Sequence, residues 1–223
     1  MSARQRIGVL GGTFDPVHSA HIALAQLFAR RLALDEVRLM VAGAPWQKQS
    51  IGANPEMRLE MLRIGFADVP FPVVIDTREL ERTGDTYSVD TLRELRGDLG
   101  AHAMLVLLIG ADQLQRLDTW SRWHEIFQLA NLAVAARDGS SWEGSGLKPR
   151  IAAEILHRQV AAAALPDALA APCGQVALLD ATLGPTSSSE VRAYLQSGDY
   201  DALRDLVPSG VVDYIRAHNL YRD

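Results

Sequence analysis

Residues 7–21 decide the fold of this chain; they read Ile7-Gly8-Val9-Leu10-Gly11-Gly12-Thr13-Phe14-Asp15-Pro16-Val17-His18-Ser19-Ala20-His21. A short apolar run that ends in glycines is typical of a buried strand. Apolar side chains then recur at helical spacing from Ile22 to Leu32, which predicts an amphipathic helix. The stretch is therefore predicted to form a strand, a tight loop and the start of a helix.

The predicted loop is suited to binding phosphate. A helix that begins beyond the carboxyl end of a parallel strand presents free N–H groups and a partial positive charge to an anion. Gly11 and Gly12 are expected to adopt positive φ and to let a ligand approach the backbone, while Pro16 stiffens the turn. The loop is thus the first candidate for a nucleotide phosphate site.

Two histidines stand at the end of this loop. His18 and His21 are three residues apart, so they are expected to share one face of the first helical turn and to point into one site. Such a pair also occurs as an exposed or capping pair, or as two ligands of a metal ion. The other histidines are scattered and complete no coordination sphere; they are His102, His124, His157 and His218. Beside a glycine-rich helix start, the pair is better suited to a developing phosphoryl charge.

The composition is that of an ordinary globular chain of one domain, or at most two, with 48% hydrophobic residues and a mean hydropathy of +0.01. A net charge of −5 argues against a protein that coats nucleic acid, so small molecules are the expected partners. Cys173 is the only cysteine, and neither a secretory leader nor a membrane-spanning stretch is recognised. A cytoplasmic location is therefore expected, with the oligomeric state, a homo-oligomer included, left open.

The rest of the chain alternates predicted strands and helices. Further strands are predicted at 37–41, 73–76, 103–109, 132–136 and 176–179. Helices are predicted from Pro55, from a cap at Ser88, in two short pieces between 114 and 127, and at 151–165, 187–197 and 209–218. The polar segment 77–85 and the Gly/Ser-rich residues 138–146 are interpreted as connections. This alternation predicts an α/β fold with a doubly wound parallel sheet.

A second candidate site lies at residues 186–192, Thr186-Ser187-Ser188-Ser189-Glu190-Val191-Arg192. Ser187 with Glu190 is a capping box, which stabilises a helix start without any ligand. Ser188 and Arg192 are four residues apart and would add a hydroxyl and a guanidinium to the free N–H groups of the helix. That combination suits the oxygens of pyrophosphate.

A third candidate follows the most apolar strand, at Ile109-Gly110-Ala111-Asp112. Gly110 permits close approach at the strand end, and Asp112 could accept hydrogen bonds from ribose hydroxyls. Asp112 is equally suited to cap the helix that follows. Its place after the most buried strand favours a functional role.

Taken together, residues 11–18 with His21, Ser187-Ser188-Ser189 and Arg192 resemble the nucleotidyltransferases of the HxGH class, and among them the bacterial nicotinate mononucleotide adenylyltransferases. The resemblance extends over nearly the whole chain, including residues 109–112, Thr119-Trp120 and the C-terminal pairs Val207-Pro208, Tyr214-Ile215 and Leu220-Tyr221. It implies a Rossmann-like fold in one domain, residues 1–223, which includes a C-terminal helical segment over about residues 187–223.

The resemblance also implies roles for individual residues. His18, His21 and Arg192 would be the catalytic residues. ATP and its phosphates would contact Gly11, Gly12, Thr13, Phe14, Lys48, Gly110, Ser187, Ser188 and Arg192. Nicotinate mononucleotide would contact Thr86, Tyr87, Asp112 and Trp120, with the Trp120 ring stacked on the pyridine unless it is a core side chain. Three positions depart from the family pattern: Ala20 replaces a glycine, Gln47 a histidine and Asp138 a proline.

The implied reaction is attack by the phosphate of nicotinate mononucleotide on the α-phosphorus of ATP, which gives the dinucleotide and pyrophosphate in NAD biosynthesis. An anion attacks, so neither a general base nor a covalent nucleophile is needed, and Mg²⁺ is expected to arrive with ATP. The alternatives are another adenylyl- or cytidylyltransferase of the superfamily, such as one acting on phosphopantetheine, a non-catalytic nucleotide sensor, or a metal-dependent hydrolase that uses His18 and His21.

Overall fold

The structure is a computed structural model that describes residues 4–43, 52–137, 146–181, 184 and 186–222. Six strands form one parallel sheet in the order β3-β2-β1-β4-β5-β6. They are β1 (Arg6–Gly12), β2 (Glu36–Val41), β3 (Val73–Asp76), β4 (Met104–Gly110), β5 (Asn131–Arg137) and β6 (Val176–Ala181). The predicted doubly wound parallel sheet is confirmed.

Helices connect the strands and cover both faces of the sheet. Within the described ranges they are α1 (Ser19–Arg31), α2 (Pro55–Gly65), α3 (Arg78–Glu81), α4 (Ser88–Leu99), α5 (Ala111–Leu114), α6 (Trp123–Leu129), α7 (Pro149–Arg158), α8 (Ser188–Ser197) and α9 (Ser209–Ala217). One core contains buried side chains of α1, α2, α8 and α9, and the other contains those of α4, α6 and α7. The sheet is therefore the middle of three layers.

The predicted helix 151–165 is wrong over its second half. α7 ends at Arg158, and the N–H of Val160 instead donates to the carbonyl of Val176 at 2.8 Å. This bond pairs the chain with the start of β6, so a tertiary contact overrides the helix preference of the alanines that follow. Only a short 3-10 turn remains, at Ala162–Ala164.

Two smaller expectations about the segment after β3 are also corrected. The polar stretch 77–85 contains a one-turn helix, α3, and the helix expected to be capped by Ser88 has Tyr87 in the N-cap position. Tyr87 has extended backbone angles, and its carbonyl accepts from the N–H groups of Asp90 and Thr91. The helix therefore starts one residue earlier than predicted, at Ser88, because Tyr87 takes the extended N-cap position. The Gly/Ser-rich connection lies, apart from Gly146, outside the described residues.

The order of the strands determines where the candidate site lies. β1 and β4 are neighbours in the middle of the sheet, and the chain leaves β1 toward β2 on one side and β4 toward β5 on the other. Loops that leave neighbouring parallel strands in opposite directions open a crevice at the carboxyl edge, where ligands of open α/β sheets bind. The predicted phosphate loop after β1 and Gly110 after β4 both lie at this edge.

Two glycines give a test of how closely the sheet is packed. A Cβ added to Gly8 would lie 2.6 Å from Cδ1 of Leu34 and 2.8 Å from Cδ1 of Leu108, both buried, whereas nothing lies within 4 Å of a Cβ at Gly97 in α4. We expect Gly8→Ala to lower the free energy of unfolding by about 1–3 kcal/mol through overpacking. Gly97→Ala should raise it by about 0.5–1 kcal/mol through helix propensity. Urea unfolding of both variants measures the difference, and a neutral Gly8→Ala would contradict the tight packing.

Candidate active site

A cavity of about 400 Å³ opens at the carboxyl edge of the sheet, where the crevice is expected. Its walls come from the β1–α1 loop, the end of β4, the N-termini of α4 and α8, and the residues around Trp120. Most predicted site residues line it: Gly11, Gly12, Thr13, Phe14, His18, His21, Thr86, Tyr87, Gly110, Asp112, Trp120, Ser187 and Ser188. Arg192 lies behind this wall, and Lys48 lies outside the described residues, as does Gln47.

The two histidines share the cavity wall, as the sequence predicts. Their ring centroids are 3.7 Å apart, and His18, in the N-cap position of α1, is only 3% exposed. The backbone N–H of His18 donates to Nδ1 of His21 at 3.2 Å. Because Nδ1 of His21 accepts this bond, a neutral His21 ring carries its proton on Nε2. The loop therefore selects the His21 tautomer in which Nε2 carries the proton and can donate a hydrogen bond.

The expectation of positive φ at Gly11 and Gly12 is wrong. The left-handed residue of this loop is Phe14, with φ 49°, while both glycines belong to β1. A Cβ at Gly12 would lie 2.9 Å from Cζ of Phe14, so Gly12 makes room for the Phe14 ring. That ring in turn meets His21 edge-on, with the centroids 5.0 Å apart. The glycine is needed for packing under the histidines and not for its own backbone angles.

The carbonyl groups of the loop accept hydrogen bonds from side chains of α2 and α8. Arg58 Nη1 donates to the carbonyl of Thr13 at 2.7 Å, and Arg192 Nη1 donates to the carbonyl of Asp15 at 2.7 Å. Ser188 Oγ donates to the carbonyl of Pro16 at 3.2 Å. Because these carbonyl oxygens accept hydrogen bonds, the loop residues present less negative potential to the cavity. The structure thus joins Ser188 and Arg192 to the histidine loop.

The sequence analysis missed Arg58. It lies on α2, is fully buried, and its Nε and Nη2 have no hydrogen-bond partner among the described residues. Burial lowers the pKa of Arg58 below its ordinary value, against the opposing effect of the nearby Asp15 carboxylate. The signal in the sequence that could have indicated Arg58 is an arginine placed among the apolar residues of the predicted helix.

The capping box at the start of α8 is confirmed. Ser187 Oγ accepts from the N–H of Glu190 at 3.2 Å, and a Glu190 carboxylate oxygen accepts from the N–H of Ser187 at 3.4 Å. Ser187, Ser188 and Ser189 all line the cavity, so the α8 N-terminus is one of its walls. The box stabilises the helix start and leaves the first-turn N–H groups at the cavity edge.

The opposite wall carries Thr86, Tyr87 and Trp120. Thr86 is buried, and the Tyr87 hydroxyl donates to Asp85 at 3.1 Å. Trp120 Nε1 is buried without a hydrogen-bond partner in the described part of the chain, although the residue lines the cavity and packs against the α4 and α6 core. Trp120 therefore combines the two interpretations that the sequence left open, a cavity wall and a core contact.

Asp112 lies at the mouth of the cavity and is exposed. Gly110, not Asp112, is the N-cap of α5, and Asp112 Oδ2 accepts from the Gln113 side chain at 2.9 Å. A Cβ at Gly110 would lie 2.7 Å from Asp112 Oδ1. The alternative in which Asp112 caps the helix is therefore wrong. The group that approaches Gly110 closely is the Asp112 carboxylate.

Glu79 is a second cavity residue that the sequence analysis missed. It lies on α3, is 8% exposed and lines the cavity, and one of its carboxyl oxygens accepts from Thr91 Oγ1 at 2.6 Å. Burial raises the pKa of Glu79 above its ordinary value. Burial thus works against a negative charge on this wall. The polar segment 77–85 offered no periodic pattern that could have singled it out.

A metal centre built by the protein was one of the alternatives for the histidine pair. Over the residues that the structure describes, no group of three or more His, Cys, Asp or Glu side chains is placed to hold a metal ion. In the same part of the chain, no helix is both long and apolar enough to cross a bilayer.

Comparisons with known proteins point to one family. The model of the cytidylyltransferase-like family matches residues 9–194. A Herminiimonas arsenicoxydans protein named "Probable nicotinate-nucleotide adenylyltransferase" is 38% identical over 99% of this chain and 99% of its own. A Laribacter hongkongensis protein of the same name is 42% identical over 98% of this chain and 96% of its own.

Solved structures share the fold. The nicotinic acid mononucleotide adenylyltransferase of Plasmodium falciparum, complexed with NaAD, superposes with a TM-score of 0.72 at 17% identity and covers 98% of both chains. The same enzyme complexed with APC gives a TM-score of 0.70 at 16% identity, again over 98% of both chains. At this identity the likeness concerns the fold.

The buried carboxyl of Glu79 predicts a pH-dependent stability. A raised pKa in the folded protein means that the stabilising contribution of Glu79 is complete below the pKa of the unfolded chain, about 4.3, and is lost as the pH rises through the folded pKa. Glu79→Gln keeps an acceptor for Thr91 and cannot ionise. We expect this variant to be more stable than the wild type at pH 8 and to lose that advantage at pH 4.

Urea unfolding at the two pH values measures this effect. Glu81→Gln is the matched control, because Glu81 is an exposed carboxyl on the same short helix. An advantage of Glu79→Gln that is equal at both pH values, or larger at pH 4, would contradict the assignment.

Proposed function

The chain belongs to the cytidylyltransferase-like family of nucleotidyltransferases, and we infer that it transfers the adenylyl group of ATP to nicotinate mononucleotide. The products are nicotinate adenine dinucleotide and pyrophosphate, and the reaction is a step of NAD biosynthesis. The observation that carries this function is the convergence of the histidine loop, the α8 serines and Trp120 on one cavity, in a chain with full-length relatives of that name.

The chemistry requires positioning and charge stabilisation above all. The attacking phosphate is already an anion, so the site need not remove a proton or form a covalent intermediate. The protein must hold the phosphate in line with the α-phosphorus and stabilise the charge that develops on the transferring group. Fixed hydrogen-bond donors are suited to both tasks.

We assign the transferring α-phosphate to His18 and His21. The His18 N–H bond to Nδ1 of His21 leaves Nε2 of His21 as a donor, and both rings line the cavity. A donor oriented before the substrate binds needs no reorganisation during the reaction. The β1–α1 backbone, Gly11, Gly12, Thr13 and Phe14, forms the adjoining wall for the ATP phosphates.

The departing pyrophosphate is assigned to the start of α8. The α8 N-terminus carries the positive end of the helix dipole, and Ser187 and Ser188 line the cavity there. Arg192 supports this wall from behind, since its Nη2 donates to Ser189 Oγ at 3.3 Å. The proposal gives Lys48 a supporting contact to the phosphates on the basis of the family resemblance, and Gly110 a place beside the nucleotide.

Nicotinate mononucleotide is assigned to the wall formed by Thr86, Tyr87 and Trp120. The first N–H groups of α4 follow Tyr87 directly, and the free N–H groups of a helix start attract a carboxylate. Trp120 supplies a flat apolar surface for the pyridine ring. Asp112, exposed at the cavity mouth, is placed to accept from ribose hydroxyls.

Mg²⁺ enters this proposal as an ion that ATP brings. The described residues offer no group of three or more His, Cys, Asp or Glu side chains that could hold a metal ion, and Mg²⁺ is commonly held by substrate phosphates and water. Bound to ATP, it would neutralise part of the phosphate charge. The cytoplasmic location, the assembly state and the extent of the domain over residues 1–223 stay predictions from the sequence.

The function is tested by incubating the purified protein with ATP, Mg²⁺ and one acceptor at a time. The acceptors are nicotinate mononucleotide, nicotinamide mononucleotide and phosphopantetheine, and pyrophosphate and the dinucleotide product are measured. We expect pyrophosphate and dinucleotide with nicotinate mononucleotide. Transfer to phosphopantetheine alone, or nucleotide binding without turnover, would contradict the proposed function.

His21→Ala tests the assignment of the transferring phosphate. Loss of one preorganised donor should lower kcat by about 10²–10³-fold. The fold should persist, because His21 is a partly exposed residue of α1. His102→Ala, which removes an exposed histidine in the turn before β4, is the control and should retain kcat. Near-normal turnover in His21→Ala would refute the role.

Trp120→Ala tests the pyridine wall. We expect a KM for nicotinate mononucleotide raised by about 10-fold or more, as loss of a stacking surface is worth about 1–3 kcal/mol, with the KM for ATP little changed. Trp120→Phe keeps a flat ring and should retain most of the affinity. If the KM for the mononucleotide is unchanged in Trp120→Ala, Trp120 is a core residue only.

A further inference from the structure

The carboxylate of Asp15 connects the histidine loop to two distant segments. Asp15 is 2% exposed and lies three residues before His18. Its Oδ2 accepts from the N–H of Gly52 at 2.7 Å, and its Oδ1 accepts from the N–H of Ala53 at 3.0 Å. Oδ1 also accepts from the hydroxyl of Tyr221 at 2.7 Å. The loop is thus bonded to the segment before α2 and to the C-terminal residues.

Tyr221 is held in place for this contact. It is 8% exposed, has φ 60°, and lies beside Gly52, where an added Cβ would come within 2.6 Å of the Tyr221 ring. Burial raises the pKa of Tyr221 well above its ordinary value, and the bond to Asp15 raises it further. The raised pKa favours the protonated hydroxyl, which donates to the Asp15 carboxylate.

The conformation that these contacts hold is a costly one. Phe14 adopts φ 49°, a left-handed conformation that is strained for a bulky residue and persists only where its surroundings enforce it. The neighbouring carbonyls of Thr13 and Asp15 are bonded to Arg58 and Arg192. The Asp15 carboxylate is a further support of the loop, through its bonds to Gly52, Ala53 and Tyr221. The Phe14 ring transmits this geometry, since it contacts His21.

We propose that Tyr221 and Asp15 are positioning residues for adenylyl transfer, which hold the loop of residues 13–18 so that His18 and His21 face the transferring phosphate. Neither side chain lines the cavity, so each acts through the loop. The inference rests on the proposed function and adds to it a role for the C-terminal segment, 206 residues away from Asp15 in sequence.

The consequence differs from that of a purely structural contact. Loss of the Tyr221 hydroxyl leaves the Asp15 carboxylate with two N–H donors and the Arg192 guanidinium 3.8 Å away, and it frees the loop to shift by a fraction of an ångström. A displacement of this kind lowers the rate of the chemical step, because a misplacement of about 1 Å can cost about 100-fold. The loop of residues 13–18 contributes Thr13, Phe14 and His18 to the cavity wall, and the other lining residues come from other elements, so the KM values should change little.

Tyr221→Phe is the test, since it removes one oxygen atom and keeps the ring. We expect kcat to fall by about 10-fold while the KM values for ATP and nicotinate mononucleotide stay within about twofold. Tyr200→Phe is the matched control: the Tyr200 hydroxyl accepts from Arg222 in the same C-terminal region and, in the part of the chain that the structure describes, forms no hydrogen bond with the loop. The melting temperature of each variant is measured, and kinetics are recorded well below it.

A double-mutant cycle with Asp15→Asn connects the two residues. If both act through one hydrogen bond, the double variant should lose less kcat than the product of the two single losses. A kcat for Tyr221→Phe equal to that of Tyr200→Phe overturns the proposal, as does multiplicative loss in the cycle. If Asp15→Asn does not fold, the two tyrosine variants still decide. A wild-type protein without adenylyl transfer would refute the proposed function, whereas an active Tyr221→Phe refutes only this inference.

Discussion

The parallel pairing of β1 with β4 is the constraint on which the site depends. Arg6–Val9 pair in register with Met104–Leu107, so the two strands end side by side at the carboxyl edge. From there the chain turns toward β2 after one strand and toward β5 after the other, which leaves the crevice open. Gly8 keeps β1 close to its neighbours, because any side chain at that position would meet Leu34 and Leu108. The cavity follows from strand order before any functional side chain is considered.

The direction of the backbone dipoles in the crevice suits the phosphate site that we propose there. The carbonyls of Thr13, Asp15 and Pro16 are bonded to Arg58, Arg192 and Ser188. Each of these side chains approaches from α2 or α8, so two helices of one layer enforce the loop conformation. A set of donors that is fixed in this way before the substrate binds is the usual source of electrostatic stabilisation in enzymes.

The sequence alone predicts the sheet, the cavity edge and most of its lining, because apolar runs, glycines and capping residues are local signals. The histidine pair and the Ser187–Glu190 box are of this kind. Arg58 and Glu79 are not, because a charged residue in a helix is ordinarily exposed, and only the packing of α2 and α3 buries these two. The positive φ was misassigned to Gly11 and Gly12 for a similar reason, since the strain at Phe14 is enforced by contacts distant in sequence. The predicted helix 151–165 is wrong beyond Arg158 because the N–H of Val160 donates to the first residue of β6.

The charge of the chain and of the cavity wall bears on how the substrates are held. The protein carries a net charge of −5, and in the described residues neither lysine nor arginine is among the side chains that line the cavity. Among the described residues, the groups of the cavity wall that can attract two polyanionic substrates are therefore N–H groups, hydroxyls and imidazoles, whose effect falls off over a few ångströms. The arginines nearest to the loop, Arg58 and Arg192, bind its carbonyls and act on the substrate through geometry. In such a site the rate depends on the placement of the loop more than on the number of positive charges, which is why contacts behind the loop matter as much as those that face the cavity.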